Sequence, residues 1–153
     1  MILASTPNGR PLRIGLMLRG IREVDGVGVY ARQLCDALFE VDRVNQYVLF
    51  YMSEEQAGRY ANVPNATERV VHAPSKLAWD QVAVPLAARR ERLDVLFHHK
   101  FSIPLLAPCP TVVQQRCTAY WTNPEWYPGL ADRLNRSTTC SAFPSSAGPP
   151  SGC

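Results

Sequence analysis

The sequence predicts a protein of the α/β class: a single layer of mostly parallel sheet, about five strands, with flanking helices. Three observations lead there. From residue 12 to residue 113, short apolar runs of strand length alternate with segments of helical spacing. The first run, residues 12–18 (LRIGLML), has no alternating polar face, which suits a strand covered on both sides. A chain of 153 residues is also the size of one domain, long enough to fold without disulfides or metal.

The elements follow in order. After the first strand comes a loop over 19–25. Val27, Tyr30, Ala31, Leu34 and Leu38 then recur at helical spacing through Glu40, with Asp25 placed to cap the start. Cys35 falls on the buried face of that helix, where a thiol behaves as a small hydrophobe. Residues 46–52 (QYVLFYM) read as a second strand, rich in aromatic and β-branched side chains. Ser53 followed by two acids and Gln56 opens a short capped helix. Residues 68–72 form a weaker third strand that Pro74 ends. Residues 77–92 have helical composition interrupted by Pro85, which predicts a kinked helix or two short ones. A fourth strand spans 93–98, and a fifth spans 111–113 after the Pro-rich turn at 104–110. These elements make a Rossmann-like layer over residues 12–136, with a flexible N-terminus at 1–11. Residues 137–153 carry no charge, and 12 of the 17 are Ser, Thr, Pro or Gly, so disorder is expected there.

Composition excludes several classes. Lys and Arg number 16 against 13 Asp and Glu, a balance too even to point to a nucleic-acid partner. Fourteen of the 16 are Arg, spread from Arg10 to Arg136, which reads as GC-rich coding. Five cysteines without a CxxC pair fit neither a zinc ribbon nor a closed disulfide framework. With no leader-like N-terminus, they suggest a reducing, cytoplasmic compartment. The longest uncharged stretch, residues 101–115, is broken by three prolines and does not suit a transmembrane segment. Asn65 and Asn135 head glycosylation sequons that matter only in a secreted chain.

Three places can carry chemistry. Gly26, Val27 and Gly28 join the first strand to its helix, where backbone N–H groups and a helix N-terminus favour an anion. A dinucleotide site, a phosphate- or sugar-facing loop and a plain structural turn all remain open, although the fingerprint has only two of its three glycines. His98, His99 and Lys100 end the fourth strand, where α/β sheets place ligand contacts. They suit the charged group of a ligand, or simply histidines packed near a turn. Adjacent histidines on a strand point to opposite faces, and no carboxylate or cysteine lies nearby in sequence, so no metal is expected. No cofactor is expected either. Trp79 reads as a packing residue.

Residues 13–16 (RIGL), 25–34 (DGVGVYARQL) and 45–50 (NQYVLF) resemble the N-terminal domain of family-4 glycosyltransferases. So do residues 79–86 (WDQVAVPL), 93–98 (LDVLFH), 103–105 (IPL) and 119–128 (AYWTNPEWYP), in the family's order. These are retaining enzymes of the GT-B fold, in which two Rossmann-like domains face each other. The resemblance implies transfer of a sugar from a nucleotide-diphosphate sugar to a glycan or lipid-linked acceptor. It places Gly26, Val27 and Gly28 at the donor phosphates in the cleft, and His98, His99, Lys100 and Arg116 on the acceptor side. Gln81 either lines the acceptor groove or caps a polar edge. The family's His after the fifth strand has no match, since Arg116 and Cys117 stand there; no catalytic residue is carried over. An arginine cannot reproduce a neutral imidazole, though it can stabilise charge on a leaving diphosphate.

The family's second domain holds most of the donor, and 153 residues leave no room for it. The expectation is therefore a truncated or frameshifted product, inactive alone, and the nucleotide sequence across codons 110–160 tests it. The alternative is a non-catalytic α/β module that binds a nucleotide or phosphosugar, or pairs with a separate donor-domain chain. A nicotinamide-dependent oxidoreductase half lacks an acid at the end of the second strand, residues 51–52. Such transferases often make peripheral membrane contact; here the basic cluster Arg89, Arg90 and Arg92 reads as a solvated helix end.

Overall fold

A computed structural model describes residues 9–100, 102–114, 122–126 and 129. The five strands are β1 (Arg13–Met17), β2 (Gln46–Tyr51), β3 (Ala66–Val70), β4 (Val95–His98) and β5 (Thr111–Val113). They form one sheet in the order β3-β2-β1-β4-β5, and every neighbouring pair is parallel. The α/β Rossmann-like layer expected from the sequence is therefore present, with a sheet that is wholly parallel.

Period-two alternation divides the strand side chains between two cores. Leu16, Tyr47, Leu49 and Tyr51 face helix α1 (Gly26–Val41), meeting Ala31, Cys35 and Phe39. Phe39 packs edge-to-face on Tyr47 at 5.3 Å and on Tyr60 at 5.0 Å, each contact adding about 0.5–1.5 kcal/mol beyond area burial. Met17, Val48, Phe50 and Leu96 face the other way, onto Trp79, Val84 and Ala88. Trp79 is fully buried and its indole N–H donates to the Val71 carbonyl at 2.7 Å, so packing is its role as expected.

The second helical layer falls into two short α segments, one of the two forms that Pro85 predicts, and a π turn joins them. Short α2 (Lys76–Ala78) passes into a π turn (Trp79–Ala83) and then into α3 (Val84–Arg90). Pro85 has no N–H to give the Gln81 carbonyl, and its ring would press on that carbonyl in a regular helix. In the wider turn the Val84 N–H reaches five residues back, to the Trp79 carbonyl, and the helix continues.

Boundaries shift modestly elsewhere. β3 starts and ends two residues earlier than the 68–72 read from the sequence, and β4 starts two residues later than 93. A buried polar knot anchors β3. Asp42 accepts from the N–H groups of Val44 and Asn45, the Asn45 amide, and the Tyr47 hydroxyl at 2.7 Å. Asn65 is buried and donates to the Asp42 and Asn45 carbonyls, so its sequon serves packing. The 1–11 segment is described from residue 9, where Arg10 pairs with Asp94. The tail at 137–153 lies outside the described residues.

Candidate functional site

Strand order alone marks one place on this sheet. The chain runs outward from β1 through β2 to β3, then returns to add β4 and β5 on the other side. The connections leaving β1 and β4 therefore run to opposite sides, at the switch point where open α/β sheets bind ligands. Met17 pairs with His98 in register, so the segments leaving these two strands start level with each other.

A polar cluster lies at that switch point. Both histidines are buried. His98 Nδ1 lies 2.7 Å from the Ser102 carbonyl, and His99 Nδ1 lies 2.8 Å from the Met17 carbonyl. A carbonyl only accepts, so each Nδ1 carries the proton. Burial holds His98 well below the usual histidine range, with the neighbouring His99, Arg19 and Lys100 adding to the shift. The expectation that the two rings face opposite ways is corrected. β4 ends at His98, so strand alternation does not govern His99, and the two rings meet edge-to-face with centroids 5.8 Å apart.

Asp80 comes from the π turn. It is buried, accepts from the Ser102 hydroxyl at 2.5 Å, and pairs with Arg19 at 3.2 Å. Burial raises its pKa above the usual carboxylate range, while Arg19, Ser102 and Lys100 pull it back. Lys100 Nζ contacts both oxygens of Glu23 at 2.7 and 2.9 Å. Gly20 lies under this ion pair: a Cβ there would stand 2.6 Å from Lys100 Cε, and the flexible Lys100 side chain would have to shift.

Asp80, Ser102 and His98 are the residue types of a nucleophilic triad, but their order is wrong. The serine sits between acid and histidine and donates to Asp80. His98 Nδ1, 3.4 Å from Ser102 Oγ, already holds a hydrogen and cannot take the serine proton. The cluster is instead a floor that positions Arg19 and Lys100, its partly accessible cations. Three floor atoms (Asp80 Oδ1, Arg19 Nε and His98 Nε2) are buried without a hydrogen-bond partner among the described residues. Among the described residues no group of three His, Cys, Asp or Glu side chains could hold a metal ion.

The remaining expected residues divide. Gln81 uses both ends of its amide on the loop after Ser102, donating to the Ile103 carbonyl at 2.9 Å and accepting from the Leu105 N–H at 3.0 Å. Both ends of the Gln81 amide are thus engaged by that loop. At the start of α1, the Asp25 carboxylate already accepts from the N–H groups of Val27 and Gly28, at 3.0 and 3.1 Å. A phosphate there would meet a resident negative charge and two occupied donors. Gly28 packs against the Glu23 carbonyl, whereas Gly26 faces open space. Glu23 thus joins two expected sites, touching Gly28 with its backbone and Lys100 with its side chain. Arg116 lies outside the described residues.

Sequence reasoning missed Arg19, Glu23, Asp80 and Ser102. Only Asp80 left a trace, as the one acid beside the Trp79, Val84, Ala88 face. Compared with models of known protein families and with curated proteins, the chain matches none. No helix among the described residues is long and apolar enough to cross a membrane.

Proposed function

We propose that this chain is the acceptor-side Rossmann-like domain of a glycosyltransferase that moves a sugar from a nucleotide-diphosphate sugar to a glycan or lipid-linked acceptor. The observation that carries the reading is the charged floor at the β1/β4 switch point, where an acceptor would lie. In this reading Arg19 and Lys100 orient acceptor oxygens, and Asp80 and Glu23 hold the two cations in place. The donor diphosphate is held chiefly by a second domain facing this one. A lipid-linked acceptor would bring the chain to a membrane surface, with exposed Arg89 and Arg90 at the end of α3.

Nucleotide-sugar turnover by the purified 153-residue chain, above an Asp80→Asn, Lys100→Ala control, would overturn the expectation that it is inactive alone. Calorimetric titration with a glycan acceptor, a nucleotide-diphosphate sugar and NAD tests the class. Acceptor binding lost on Lys100→Ala supports it; NAD binding in preference to the other two refutes it.

A second reading, a non-catalytic module paired with a separate donor-domain chain, draws on exposed Leu77, Val82, Leu86, Leu105 and Leu106. The π turn sets Val82 five residues after Leu77, and the Gln81 amide ties the loop of Leu105 alongside. Co-elution with a co-expressed donor domain, abolished by Leu86→Glu and Leu106→Glu, distinguishes it.

A further inference from the structure

A second opening lies on the other side of the loop after β1, between that loop, α1 and the 3₁₀ turn at Glu54–Gln56. It encloses about 470 Å³, within the roughly 300–1,000 Å³ typical of small-molecule sites. Arg22, Arg32 and Arg59 line it from three different segments, with Glu55 the one acid in the lining. The geometry points to a binding site for a phosphorylated sugar or polyol.

Two of the guanidinium groups are anchored without being neutralised. Arg32 donates to the Ile21 and Glu23 carbonyls at 2.5 and 3.1 Å, and Arg22 donates to the Glu55 carbonyl. Neither makes an ion pair among the described residues; Arg59 is the one already matched, by Asp36 at 2.8 Å. Carbonyl bonds fix the direction of a guanidinium and leave its charge for a ligand.

Two forks from different segments suit a tetrahedral phosphate, whose oxygens diverge, better than a planar carboxylate, which one fork satisfies. Ile21 and Val24 add an apolar wall, and the Glu55 carboxylate accepts hydroxyl hydrogens from the body of the ligand. Among the described residues no aromatic side chain lines the opening, so they offer no stacking surface for a nucleobase. That lining favours a sugar phosphate over a nucleoside phosphate. The inference rests on this cleft alone and is independent of the transferase reading.

Calorimetric titration of the full chain with glucose 1-phosphate, glucose and UMP tests it. Glucose 1-phosphate is expected to bind and glucose not to bind, with UMP weaker than glucose 1-phosphate. Arg22→Gln removes the charge from an exposed side chain, where the fold should tolerate it, and should weaken glucose 1-phosphate about tenfold. Arg32→Lys should weaken it similarly while keeping a donor for the loop, and thermal melts of both variants verify that they are folded. No binding of glucose 1-phosphate, equal binding of glucose, tighter binding of UMP, or affinity unchanged in both folded variants would each overturn the assignment.

Discussion

Gly28 stands in the first turn of α1, where helix propensity alone recommends alanine by about 1 kcal/mol. Its surroundings recommend the opposite. A Cβ at this position would sit 1.9 Å from the Glu23 carbonyl oxygen, and the other two near atoms are Glu23 backbone as well. Ordinary contact begins at 3.4 Å, so the carbonyl would have to retreat about 1.5 Å. No rotamer change relieves a clash with backbone. The loop is also held from behind, by Arg32 on that same carbonyl at 3.1 Å and by Lys100 on the Glu23 carboxylate. Overpacking of this kind costs about 1–3 kcal/mol, or more where backbone must move. Because backbone must move, the upper end of about 3 kcal/mol applies, and after the propensity gain of about 1 kcal/mol Gly28→Ala should be destabilised by about 2 kcal/mol. Gly26→Ala is the internal control, because a Cβ there meets nothing within 4 Å and only the propensity gain remains. Urea unfolding of the two variants reads the difference directly. If Gly28→Ala is as stable as Gly26→Ala, the loop does not lie against α1 as described.

Three further outcomes follow from buried polar groups. Burial would raise Asp42, but hydrogen bonds from Tyr47, Asn45 and Val44 outweigh it and hold the carboxyl below its usual range. The stability this gives is present above the unfolded-state pKa and is lost as pH falls through the folded one. Tyr47→Phe should therefore cost about 1.5–3 kcal/mol at neutral pH, with the gap to the parent chain narrowing on acidification; a gap constant with pH would refute this. Asp80→Asn leaves Arg19 without its buried partner and should cost about 3 kcal/mol in urea unfolding, so a neutral result would dissolve the proposed floor. Burial pushes the Cys35 thiol up to about 12, so Cys35 should resist iodoacetamide at neutral pH in the native chain and react only in urea, as peptide mapping would show.

The sheet was legible because its signals are local. The runs that became β1 and β2 carry their burial in their own composition, and Asp25 caps α1 with the two amides that follow it. What escaped is set by distance. The start of β3 depends on Asn65 reaching Asp42 and Asn45, some 20 residues away, and nothing near Asn65 in the chain announces it. The histidine pair was read from strand periodicity, which stops one residue too early to govern His99. Asp80 and Ser102 are separated by 22 residues and meet only because a loop folds back over the helix. The charges on Glu23 and Lys100 were visible, but their pairing across 77 residues was not.

The π turn has a consequence for how this segment can change length. Trp79, Val84 and Ala88 all point into one core at spacings of five and then four residues, so the helix carries one residue more than a regular one would need. Each residue of an α-helix advances about 100° around its axis. Deleting an exposed position such as Val82 would restore ordinary four-residue spacing between the two inward anchors, but would set the Pro85 ring against a carbonyl again. Inserting a residue would swing Asp80 about 100° away from Arg19 and Ser102. Insertions and deletions between Trp79 and Pro85 should therefore be far less tolerated than substitutions on its outer face, because this short stretch keeps two halves of a helix in phase.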